Sequence, residues 1–206
     1  MTDFAARERA ALADLFDELG PDAPTLCEGW AARDLAAHLV LRERRPDAAP
    51  GIVFKPLSGY TERVQARVAA TPWPELVARY RSGPPPWLRP FDETANLVEM
   101  FVHHEDLRRG GSGWSPRDLD PALGRALTAR LRGLSRMLLR RSPVGVVASV
   151  PDQGLITLRS GDPAVTITGG AGEVVLYVFG RKDAARVELS GPDDAVRRFR
   201  EASLGL

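Results

Sequence analysis

The sequence predicts an α+β protein, with an amino-terminal helical bundle followed by a small α+β unit. Three observations point there. Up to about residue 141, apolar residues recur at helical spacing in segments bounded by Gly and Pro. From residue 144 the apolar runs become short and β-branched, as in VGVVASV, GLITLR and AVTIT, with Pro, Asp and Gly turns between them. Finally, 206 residues with 44% hydrophobic and 27% charged content are enough for one large domain or two small ones with a real core.

The elements follow in order. Residues 4–19 carry Phe4, Leu12, Leu15, Phe16 and Leu19 near one face and end at Gly20–Pro21, so a helix is expected. A loop, PDAPTLCEGW, covers 21–30. A second helix is expected over 31–44, where Leu35, His38, Leu39 and Arg42 are spaced by three and four, placing His38 beside the apolar stripe. Pro46 and Pro50 break the chain. Helices are expected over 58–70 and over 74–81, the latter with Pro74 in its first turn. After the Gly83–Pro86 break, residues 92–109 read as a helix closed by Gly110–Gly111. Asp120 is an N-cap candidate, with Pro121 opening a long helix to about Arg141. Strands are expected at 144–150, 154–159, 164–168 and 186–190, and helices at 171–180 and 192–202. The domain boundary is placed near 142, giving a bundle over 1–142 and an α+β domain over 143–206.

Charge narrows the function. The net charge is +1 and Arg alternates with Asp and Glu, which argues against bulk binding to nucleic acid or an anionic membrane. No stretch approaches the length of an apolar membrane span. The start, MTDFAARERAALADLF, carries acids and no long apolar run, unlike a signal peptide. The single cysteine, Cys27, allows no intrachain disulfide. A cytoplasmic location is expected.

The chemistry concentrates on the histidines. There are three, His38, His103 and His104, two of them in the segment NLVEMFVHHEDLRR. Glu99 and His103 are an i, i+4 pair and leave one helix face together, so they can converge on one ion. A third ligand must come from another helix, and His38 is the only histidine outside the segment. Imidazole and carboxylate suit Zn²⁺, Ni²⁺, Fe²⁺ or Mn²⁺, and three protein ligands leave a position open for substrate. His104, turned by about 100° from His103, is poorly placed to join them. By itself, however, a Glu-x-x-x-His pair is more often an ordinary polar pair, and a histidine on an apolar face is more often a satisfied core residue.

The local context adds a resemblance. LCEGWAARDLAAHL over 26–39 and EMFVHHEDL over 99–107 resemble two signatures of the mycothiol-dependent maleylpyruvate isomerase family. The likeness covers about 5–110 well and extends more loosely to the carboxyl end. It implies a DinB-like metal-binding four-helix bundle, with His38, Glu99 and His103 as the ligands of a divalent metal, zinc by family habit. It implies mycothiol as thiol cofactor, with an electrophilic small molecule as partner, in isomerisation, thiol transfer or detoxification. A non-catalytic metal-binding or interaction module is the alternative, and a homodimer is compatible with either. The family's Gly-Arg pair corresponds to Gly180–Arg181, which makes Arg181 a catalytic candidate for meeting a substrate carboxylate, or else a cap on the preceding helix. Ala31 stands where the family often has a capping Thr or Ser, and the chain is shorter than full isomerases.

Other residues have two readings. Cys27 is a nucleophile near a helix start, or a small buried hydrophobe. Trp30 is expected to pack under that helix start. Asp34 either contacts the site indirectly or serves the first turn of its helix. Asp106 either orients a ligand imidazole or pairs with Arg108 or Arg109.

Overall fold

A computed structural model describes residues 3–48, 51 and 54–205. Pro50 lies outside the described residues. The helical expectations hold closely. The amino-terminal elements are α1 (Phe4–Leu19), α2 (Ala32–Arg44), α3 (Ser58–Ala69), α4 (Trp73–Arg81) and α5 (Asp92–Arg108). The carboxyl-terminal elements are α6 (Pro121–Leu138), β1 (Gly145–Val150), β2 (Gly154–Arg159), β3 (Ala164–Thr168), α7 (Ala171–Val178), β4 (Glu188–Ser190) and α8 (Asp193–Glu201). The chain is thus α+β, a helical amino-terminal part followed by a small four-stranded sheet with helices. Among the described residues, no helix is long and apolar enough to cross a membrane.

The chain divides into two compact units, 1–114 and 115–206. This differs from the boundary near 142 that periodicity suggested. The reason is α6, which is amphipathic enough to suit any helical core. It lies against α7 and β2, with Leu123, Leu127, Leu131 and Leu138 buried. Sequence periodicity says that such a stripe must be covered, not by which element.

The first unit has a four-helix core. Leu12, Ala13 and Phe16 of α1, Leu35, Ala36, Leu39 and Val40 of α2, Leu76, Val77 and Tyr80 of α4, and Met100 and Leu107 of α5 form one buried cluster. Phe16 meets Trp73 and Tyr80 edge-on, with ring centroids 5.6 Å apart in both pairs. Between α1 and α4, α5 and α2 runs a buried ionic group. Arg9 Nη2 donates to Glu43 Oε1 at 2.6 Å and to Asp92 Oδ1 at 2.7 Å. The α2 start does without a hydroxyl cap, because the Ala31 N–H donates to Asp34 Oδ2 at 3.1 Å. Asp34 therefore serves its helix start, the plainer of its two expected roles.

The 21–30 loop is pinned to the end of α5. Leu26 N donates to the Asp106 carbonyl at 2.9 Å. A Cβ on Gly110 would stand 2.0 Å from the Pro24 carbonyl oxygen, so only glycine allows this approach. Gly110→Ala is expected to lower stability by about 1–3 kcal/mol, measured by urea unfolding, as backbone is forced off backbone.

In the second unit, Asp120 caps α6 by accepting from Ala122 N at 2.7 Å. The sheet has order β2-β1-β3-β4, with β1 and β3 parallel and the outer pairings antiparallel. Val146, Ala148, Val165 and Ile167 supply its buried positions.

Candidate metal centre

The three expected ligands lie on two helices in the same region of the first unit, but among the described residues they are not a group whose ligand atoms all lie within 4.8 Å of one another. His38 sits mid-way along α2 and is buried, while Glu99 and His103 are one turn apart on α5. The His38 and His103 rings are 5.4 Å apart, centroid to centroid, at an interplanar angle of 71°. Glu99 Oε2 lies 3.5 Å from His103 Nε2.

His103 is held from behind. Its Nδ1 is 2.9 Å from Asp106 Oδ2, and Asp106 is fully buried. That bond turns Nε2 toward Glu99, the arrangement in which a carboxylate orients an imidazole for a cation. Cys27 Sγ donates to the same Asp106 oxygen at 3.2 Å. Arg108 and Arg109, the other expected partners of Asp106, both bond to Glu105. Cys27, His103 and Asp106 place ligand atoms within 4.8 Å of one another, the one such group of metal-binding types among the described residues, and it shares His103 with the expected set.

Around this centre, the Trp30 ring lies 5.0 Å from the His38 ring, centroid to centroid, tilted by 52°, so it shields a candidate ligand. Gln65 of α3 hydrogen-bonds the His38 ring. His104 points elsewhere. It is buried with Nδ1 2.8 Å from Glu8 Oε2 of α1, a core partnership with no share in the centre. Sequence reasoning missed Arg42 and Gln65. Arg42 Nη2 is 3.7 Å from Glu99 Oε1, and its position four residues after His38 was the available signal.

The electrostatics suit a cation. Burial, followed by the charge of His103, pushes His38 down to about 3, so its imidazole is neutral with a free lone pair. Burial opposes ionisation of Glu99, but the His103 bond and the Arg42 charge outweigh it and hold the carboxyl at about 2. Burial likewise opposes charging His103, yet its bonds to Asp106, Cys27 and Glu99 raise it well above the ordinary imidazole value. A neutral imidazole, an ionised carboxylate and a second imidazole whose Nδ1 faces Asp106 and whose Nε2 faces Glu99 are donor types that a divalent ion takes, and binding one would require His103 to give up its Nε2 proton.

Comparison with known proteins bears on this arrangement. Residues 4–51 match the family model described as "Mycothiol maleylpyruvate isomerase N-terminal domain". That match spans the first helical segments and about a quarter of the chain. Two crystal structures of the mycothiol-dependent maleylpyruvate isomerase resemble the chain, each over 91% of it and 90% of their own length. One, of a histidine-to-alanine mutant, gives a TM-score of 0.60 at 16% identity. The other gives 0.56 at 17% identity. At that identity the likeness establishes the fold. No curated protein matches the chain. The matched segment includes His38 and the Cys27–Trp30 loop and ends before Glu99 and His103. Arg181 lies in the second unit, where its Nη1 donates to the Phe179 carbonyl at 2.8 Å, at the end of α7.

Proposed function

We propose that the chain is a metal-dependent, thiol-using enzyme of the mycothiol type, acting on an electrophilic small molecule by isomerisation or thiol transfer. His38, Glu99 and His103 would hold one divalent ion, zinc by the family resemblance. The observation that carries the reading is the turn of His103, whose Nδ1 is taken by buried Asp106 while Nε2 faces Glu99 beside the His38 ring. A bound zinc ion supplies Lewis acidity that keeps a coordinated thiol ionised. The chain's own residues do the rest. Asp106 fixes the ring of His103, Glu99 brings a negative charge, and the burial of His38 keeps its nitrogen unprotonated at neutral pH. Trp30 excludes water from one side of the His38 ring.

The resemblance assigns Arg181 to a substrate carboxylate, and its bond to the Phe179 carbonyl supports the helix-capping role as well. A cytoplasmic location is part of the same reading, because a thiol-using enzyme with one free cysteine suits a reducing compartment.

The test is a mycothiol titration of cobalt-substituted protein. A thiolate-to-metal absorption band saturating with added mycothiol is the expected result. Cobalt uptake without such a band would favour a non-catalytic metal-binding module. A second ligand set has its own support in the grouping of Cys27, His103 and Asp106. Against it, Asp106 Oδ2 is already occupied by two hydrogen bonds.

A further inference from the structure

Arg42 stands at the solvent side of the centre. It lies one helical turn after His38 on α2, so both side chains leave the same face. Its side chain is 23% exposed and that of Glu99 is 20% exposed, against 9% for His103. Arg42 and Glu99 are thus more open to solvent than His103, and the guanidinium stands on the exposed side of Glu99.

That guanidinium is held in a prepared orientation. Nη1 donates to Asn96 Oδ1, and Nη2 to the Ala95 carbonyl at 3.4 Å. The Asn96 amide is fixed in turn, because Nδ2 donates to Asp92 Oδ1 at 2.7 Å. Asp92 is clamped by both Arg9 Nη groups at 2.8 and 2.7 Å. A chain of polar contacts thus runs from α1 to the mouth of the centre. The fork has five N–H donors, more than these bonds use, and it lies 3.7 Å from the Glu99 carboxylate. A planar, prepositioned guanidinium beside Glu99 matches a carboxylate better than a neutral group.

We propose that Arg42 is an anion-recognition residue of the centre, selecting ligands that carry a carboxylate next to the atom that reaches the metal. The proposal rests on the metal-centre reading given above. It narrows the substrate class to small organic acids, or to thiols bearing an acid group.

The experiment uses cobalt-loaded full-length protein, with mercaptoacetate and 2-mercaptoethanol as probes and absorption titration as the readout. Chelation by the ion itself favours the acid equally in wild type and variant, so the acid-to-alcohol affinity ratio isolates the side chain. In Arg42→Gln that ratio is expected to fall roughly tenfold or more, the scale of one charge-assisted hydrogen bond. Arg42→Lys keeps the charge without the fork, so a smaller fall is expected. It also serves as the readout if Arg42→Gln does not fold. A ratio unchanged from wild type in either variant overturns the proposal. So does an equal weakening of both thiols, which marks a merely structural role. If wild-type protein takes up no cobalt, the centre itself is wrong. Uptake with an unchanged ratio sinks only the assignment to Arg42.

Discussion

If the proposed ligand set holds the ion, His38→Ala is expected to take elemental analysis from about one equivalent of metal per chain to near none, because two protein ligands rarely retain an ion against solvent. His38 is the only candidate ligand contributed by α2, and it approaches the α5 pair from across the core. Removing it also deletes a buried ring packed on Trp30, so a thermal melt should accompany the analysis. A folded variant without metal supports the ligand assignment. Cys27→Ala is the companion, because its thiol contacts Asp106 and belongs to the competing group. It is expected to keep its metal. The reverse pattern, with metal lost from Cys27→Ala and kept in His38→Ala, would move the ion to the Cys27, His103 and Asp106 side.

Arg9→Ala should have the largest effect on stability. Arg9 is buried between Glu43 and Asp92, joining α1 to α2 and α5. Burial works against its charge, but the two carboxylates outweigh that and raise its affinity for the proton. Glu43 gains far less security. Burial pushes its carboxyl upward despite Arg9, and its Oε2 has no hydrogen-bond partner among the described residues. Truncating the arginine would leave two acids facing each other in the core, at a cost of about 3–5 kcal/mol by urea unfolding. A loss under about 1 kcal/mol would mean that water or neighbouring cations replace the guanidinium, and that the group adds little to the fold. The variant should also loosen Asp92, and through Asn96 the seat of Arg42. Metal affinity in a mildly destabilised Arg9→Lys variant reads that coupling separately.

The sequence by itself determined the local structure and the partners that lie within a helical turn. Periodicity placed α1 to α8 and all four strands within a few residues, since each apolar stripe follows from spacing along its own segment. The Glu99 and His103 pair was legible for the same reason, being four residues apart on one helix. The approach of His38 was also legible, but only through the resemblance. Nothing in spacing alone says which helix faces α5.

Tertiary structure decided everything that depends on the angle at which one element meets another. Asp106 had two open roles within reach, and packing of the Cys27 loop on the end of α5 set it toward His103 while Glu105 took the arginines. His104 found Glu8 across ninety-six residues of chain, a partner no local pattern reveals. Arg42 became a neighbour of Glu99 because its long side chain reaches from α2 to the α5 carboxylate. The stripe on α6 was visible from its spacing, and its cover, α7 and β2, was not. Hydrophobic burial is non-directional, so a sequence specifies which face must leave water while the assembled core specifies what that face meets.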